Sequence, residues 1–126
     1  MNTLSDLLNF VVTSLHASSL CDAVHVLETH QFSESQFALK VRAEFVHGGV
    51  LQVRLYCNGE HTDYAYQLVR DEKSVLRWDN KEHFLSLTSH PHHFHSASGQ
   101  VEASVLTGDP TRDLPFVLNY LATFLD

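Results

Sequence analysis

Only two cysteines, one tryptophan, one methionine, three prolines and five glycines occur in these 126 residues, and each scarcity excludes something. Cys21 and Cys57 lie far apart and match no zinc or redox spacing, so they are expected to be reduced and buried. Lysine and arginine number 8 against 15 aspartates and glutamates, a net charge of −7. That balance disfavours broad, sequence-independent nucleic-acid binding, whose affinity comes mostly from cationic contacts to phosphate. No apolar run reaches the ~20 residues of a membrane span. The opening MNTLSDLL lacks the basic region of a signal peptide and carries Asp6 among its leucines. A cytoplasmic protein without a membrane segment is the expectation. No Gly-rich phosphate loop, nucleophile elbow or Cys/His nucleophile pattern is present, so no cofactor is expected.

What is there is a chain 44% hydrophobic and 10% aromatic, enough for a packed core in one domain spanning 1–126. Charge is uneven. Residues 40–95 balance their acidic and basic groups, and the two ends supply the whole deficit. The central segment also holds seven of the ten histidines, five of them between Arg77 and His95: His83, His90, His92, His93 and His95. Imidazole titrates near neutral pH and binds borderline metals, which makes this cluster the candidate site.

Leu4, Leu7, Leu8, Val11, Val12 and Leu15 form one apolar helical stripe, with Thr3 as N-cap and Asp6 at capping-box spacing. A moderately alternating strand follows at 23–30. From Gln36 to Phe45 every odd position is apolar, the pattern of a half-buried antiparallel strand. His47-Gly48-Gly49 turns it into a partner strand through Leu51, Val53, Leu55 and Cys57. Asn58-Gly59 reads as a two-residue hairpin turn. A strand over 61–70, a solvated turn at 71–73 and a short strand over 75–79 complete a meander. After Asn80 regularity fades, and Pro91 keeps His90 from helical conformation. If the segment is extended, His90 and His92 share one side and His93 and His95 the other. A short strand near 101–106 and a helix beginning near Asp113, with Pro115 in its first turn, close the chain. The fold class is α+β: an antiparallel meander sheet with an N-terminal and a C-terminal helix packed on one face, leaving the other free for a ligand.

Three chemistries fit the histidines. Metal binding needs converging neutral imidazoles, but no HExxH or finger pattern is present, and no metal ligand is assigned. Acid–base work needs one imidazole to take a proton while another returns one, with Arg54 or Arg77 stabilising a phosphate. The bland alternative is that the histidines hydrogen-bond a long loop to the sheet, the better expectation for any one of them. Arg77 and Asp79 share a side of a strand and form a polar pair, beside Asn80; a strand-end ion pair and turn is as common. Tyr64 and Tyr66 suit base stacking or phosphate contact, though such tyrosines are more often half-buried sheet residues.

The succession Tyr64-Ala65-Tyr66, Leu76-Arg77-Trp78-Asp79-Asn80, His83 and His90-Pro91-His92-His93-Phe94-His95 resembles the TumE-type toxin family of toxin–antitoxin systems. Members carry a Tyr-x-Tyr strand, an Arg-[Tyr/Trp]-Asp-Asn-Ala-Pro-His-His segment, a Pro-His-His-Lys-His segment and a closing helix. The specific match covers residues 64–95. The resemblance implies a small cytoplasmic toxin neutralised by a helix-turn-helix antitoxin. Lys81-Glu82 departs from the family's Ala-Pro, and Phe94 stands where Lys is usual, which removes a cation from the proposed site. Together the cluster and the resemblance lead to a toxin acting on RNA as a metal-independent ribonuclease. His93 and His95 are then the acid–base pair, His92 next, Asp79 the orienter, and Arg77, Arg54, Tyr64, Tyr66 and Asn80 the substrate contacts. Two alternatives stay open: a non-enzymatic binding protein and a His-cluster metal-binding domain.

Overall fold

Thr3 Oγ1 accepts a hydrogen bond from the Asp6 amide at 3.0 Å and starts α1 (Leu4–Ala17), as its spacing predicts. The computed structural model describes residues 3–125. After α1 come β1 (Cys21–Ser33), β2 (Gln36–Phe45), β3 (Val50–Asn58), β4 (His61–Arg70), β5 (Lys73–Asp79), β6 (His93–His95), β7 (Val101–Ala103) and α2 (Pro110–Phe124). The seven strands form one antiparallel meander in chain order.

Strict alternation gives the sheet one apolar face. Val41, Val53, Tyr66, Trp78 and Phe94 stand opposite one another on successive strands and are all buried. Leu7, Val11 and Leu15 of α1 and Leu114, Val117 and Leu121 of α2 close over that face in a common core. Trp78 fixes the α2 end, stacked on Phe94 at 4.7 Å and meeting Tyr120 of α2 edge-on at 5.2 Å. The expected placement of both helices on one face is what the fold shows. Cys57 is buried, Cys21 is half-buried, and both are free thiols. Among the described residues no helix is long and apolar enough to cross a membrane.

Several boundaries differ from expectation. β1 runs from Cys21 to Ser33 because it pairs along the whole of β2, with three bulges absorbing its weak alternation. Asn58 pairs with His61, so the hairpin turn is Gly59-Glu60 and only Gly59 has positive φ, at 65°. Asp71 and Glu72 both adopt positive φ in the next two-residue turn. α2 starts at Pro110, not near Asp113, because Asp109 accepts from the Thr111 amide at 3.0 Å. Pro115 therefore lies inside the helix, where it cannot donate to the carbonyl one turn back. β7 ends at Ala103 rather than 106.

Candidate functional site

β5 stops at Asp79 because the next side chain takes over the pairing. Asn80 Oδ1 accepts from the Tyr64 amide at 3.0 Å, and its Nδ2 donates to the Thr62 carbonyl at 2.9 Å. The chain then leaves the sheet and returns as β6 beside β5. That register sets His93 opposite Asp79 and His95 opposite Arg77, all four on the face away from the helices.

Asp79 is the hub. Its Oδ1 lies 2.8 Å from His93 Nε2 and accepts from the Lys81 amide at 3.0 Å. Its Oδ2 accepts from Arg77 Nε at 2.7 Å and stands 3.7 Å from His95 Nε2. Arg77 is held further by Gln67, whose Oε1 accepts from its Nη1 at 3.3 Å. Asp79 is 3% exposed, so its oxygens are engaged by these partners and not by water.

The two histidines differ in kind. His93 is 2% exposed, and its Nδ1 faces the Pro91 carbonyl at 3.2 Å while Nε2 faces Asp79. Both nitrogens meet acceptors inside the protein, so the ring holds Asp79 in place and presents nothing to solvent. His95 is about one-third exposed. Desolvation pulls its pKa below the ordinary imidazole value; Asp79 opposes this, and His93 and Arg77 add to it. A neutral, reachable imidazole beside a guanidinium is the result. Phe84 packs edge-on against both rings, at 4.7 Å from His93 and 6.0 Å from His95, and shields the pair. Nothing in the sequence marked Phe84, because its position in an irregular loop carries no periodicity.

The remaining candidates divide between the two faces. Arg54 is exposed on the open face, across Ala65 from Asp79. His92 lies on the helix side, where its Nδ1 and the Tyr64 hydroxyl share a hydrogen bond at 2.7 Å and its ring stacks on Tyr64 at 5.8 Å. Burial lowers the pKa of His92, against the charge of Asp113. Burial, followed by the charges of Asp113 and Asp79, raises that of Tyr64 far above a free phenol, so the hydroxyl keeps its proton. Tyr66 is fully buried, its hydroxyl without a partner among the described residues. His92, Tyr64 and Tyr66 thus do not share a surface with His95 and the arginines. Asn80 is spent on the backbone. The expectation that Phe94 removes a cation from the site is overturned: alternation turns residue 94 toward Trp78 and Tyr120, away from His93 and His95. Lys81 and Glu82 are exposed beside the site.

On the helix side a cleft of about 950 Å³ opens between the β3–β4 turn and the start of α2, bordered by His92, Asn80 and Asp109. Its buried polar groups are already engaged. Asp113, 2% exposed, accepts from the Thr107 and Gly108 amides at 2.9 and 2.7 Å and seals the loop before α2. It read as an ordinary helix-start residue in the sequence. The Asp79, His93 and His95 group also offers three metal-ligand atoms within 4.8 Å of one another. In this arrangement Asp79 is shared with Arg77, whose positive charge competes with a cation.

The sequence model described as toxin TumE matches residues 11–125 of this chain. Neither a curated protein nor a solved structure matches it.

Proposed function

The chain belongs to the toxin TumE family, the toxin of a toxin–antitoxin pair, and from that premise we propose that it cleaves RNA at His95 without a metal. The observation that carries this reading is His95 itself: partly exposed, held neutral by desolvation, and next to Arg77. In the proposed reaction His95 removes the proton of a ribose 2′-hydroxyl. The 2′-oxygen attacks the neighbouring phosphorus, the bond to the 5′-oxygen breaks, and that oxygen takes a proton from water. Arg77 faces the phosphate and offsets the charge that builds on it. Asp79 and His93 are positioning residues: the carboxylate fixes Arg77, and His93 fixes the carboxylate. The partner that silences the site is a helix-turn-helix antitoxin, and the working compartment is the cytoplasm.

Induced expression in bacteria tests the reading. Wild type should arrest growth with RNA fragments ending in cyclic phosphate, and His95→Gln should do neither while remaining folded. Arrest by His95→Gln equal to wild type would sink it.

A second reading draws on the convergence of Asp79, His93 and His95, a two-histidine, one-carboxylate set suited to a divalent transition metal. Elemental analysis of protein purified without a metal-affinity column decides between them. A stoichiometric metal would favour the second.

A further inference from the structure

The open sheet face carries two polar rows that run across the strands. One is Arg42, Gln52, Gln67, Arg77 and His95; beside it run Lys40, Arg54, Ala65, Asp79 and His93. Four of the chain's eight lysines and arginines therefore share this face, in a protein of net charge −7. Its acidic groups are Glu28 of β1, which stands opposite Lys40, and Glu44, Asp63 and Asp79, and all but Glu28 are matched within the protein. Glu44 pairs with His25 at 2.8 Å, Asp63 with His61 at 2.9 Å, and Asp79 with Arg77 and His93. Lys40, Arg42 and Arg54 have no ion pair among the described residues. Arg42 Nε is buried with no acceptor among the described residues, an unfilled demand for an oxygen. With strands about 4.8 Å apart, Arg42 on β2 and Arg77 on β5 stand ~14 Å from each other, a span of a few nucleotides.

Beyond Arg54, the same face ends in an aromatic corner. Phe32 on edge strand β1 is 61% exposed, 6.2 Å from Tyr56 and 6.1 Å from His30, whose ring stacks with it. A phenylalanine left in water on an edge strand adds nothing to the core. Beside a cationic row it offers a surface on which a base can stack.

We propose that the open face is a platform for single-stranded RNA, which crosses it diagonally from His95 over Arg54 and Lys40 to Tyr56 and Phe32, with Arg42 flanking the path. The platform presupposes the RNA-directed reading above and deepens it. Unpaired cations serve the phosphates, and the aromatic corner takes an unstacked base. A duplex has no free base for that corner.

The test is equilibrium binding of a 2′-O-methylated single strand of about a dozen nucleotides, which cannot be cleaved through its 2′-oxygen, and of the same sequence as a duplex. Wild type should bind the single strand at least about tenfold tighter than the duplex. The double variant Lys40→Gln/Arg54→Gln should lose about tenfold or more and flatten the salt dependence by roughly two phosphate contacts. Phe32→Ala should lose about tenfold with the salt dependence unchanged. Thermal melting of each variant checks that it is folded, and Lys40→Arg/Arg54→Lys should bind as wild type. Equal binding of single strand and duplex, or variants that bind as tightly as wild type, would overturn the platform even if the protein cleaves RNA. Variant-sensitive binding without cleavage would leave the platform standing and sink the catalytic assignment. Failure of wild type to bind either RNA overturns the platform and leaves the unpaired lysine and arginines of this face to an acidic surface of the antitoxin.

Discussion

Asp79 and His93, facing each other on β5 and β6, meet at 2.8 Å with both side chains almost wholly out of water. Arg77 approaches the same carboxylate from its own strand at 2.7 Å. Removing the charge while keeping the shape tests this hub. Asp79→Asn should cost about 3 kcal/mol of folding free energy, because it leaves a buried partnership broken. The readout is the midpoint of urea unfolding. His95→Gln, at a partly exposed position, should stay within about 0.5 kcal/mol of wild type while losing growth arrest. A large stability loss in His95→Gln instead would give that ring a structural role.

Two tyrosines one turn of the pleat apart should respond in opposite ways. Tyr66 keeps a buried hydroxyl with no partner among the described residues, so Tyr66→Phe removes an unsatisfied group and should be neutral or stabilising by up to about 1 kcal/mol. Tyr64→Phe takes the hydrogen-bond partner from His92 Nδ1 and should destabilise by about 1 kcal/mol. Thermal melting of the pair, side by side, reads the difference.

The pH dependence of the proposed RNA cleavage has a defined sign. Desolvation lowers the pKa of His95, with His93 and Arg77 acting in the same direction and Asp79 against it. The acidic limb of the rate profile should therefore lie below the ordinary imidazole value of about 6.5. Arg77→Gln should move the limb upward, since a charge that disfavours imidazolium is gone. Stability follows the same logic through His92 and His95, both depressed in the folded state. The unfolded chain binds more protons, so their contribution is full above the unfolded value and is lost as pH falls through the folded ones. Melting temperature should fall from about pH 8 to about pH 5 by less in His92→Gln than in wild type.

The turn between β4 and β5 places Asp71 and Glu72 at φ of 50° and 63°. A left-handed backbone costs an ordinary L-residue roughly 1–2 kcal/mol, and glycine far less. Glu72→Gly should stabilise the protein by about 1 kcal/mol, with growth arrest unchanged. A lower melting temperature in that variant would show that the Glu72 side chain contributes to the fold.

Period-two alternation in 36–45 and 51–57 determined β2 and β3 and their buried faces, because a strand that covers one core must repeat every second residue. The Thr3 and Asp6 spacing likewise determined where α1 begins, since capping is local. The Tyr64-to-His95 motif carried the family. β6, three residues long and without local periodicity, stayed hidden, and β1, expected over 23–30, owes its full length to its partner and not to its own pattern. The grouping of His93 with His95, apart from His92, followed from alternation, but what each side meets was decided only by tertiary structure. His92, His93 and His95 are near-neighbours in the chain, yet alternation sends His92 to the helices while His93 and His95 face Asp79 and Arg77. Alternation is local, but which side becomes the core depends on where α1 and α2 pack, and that is a property of the whole chain.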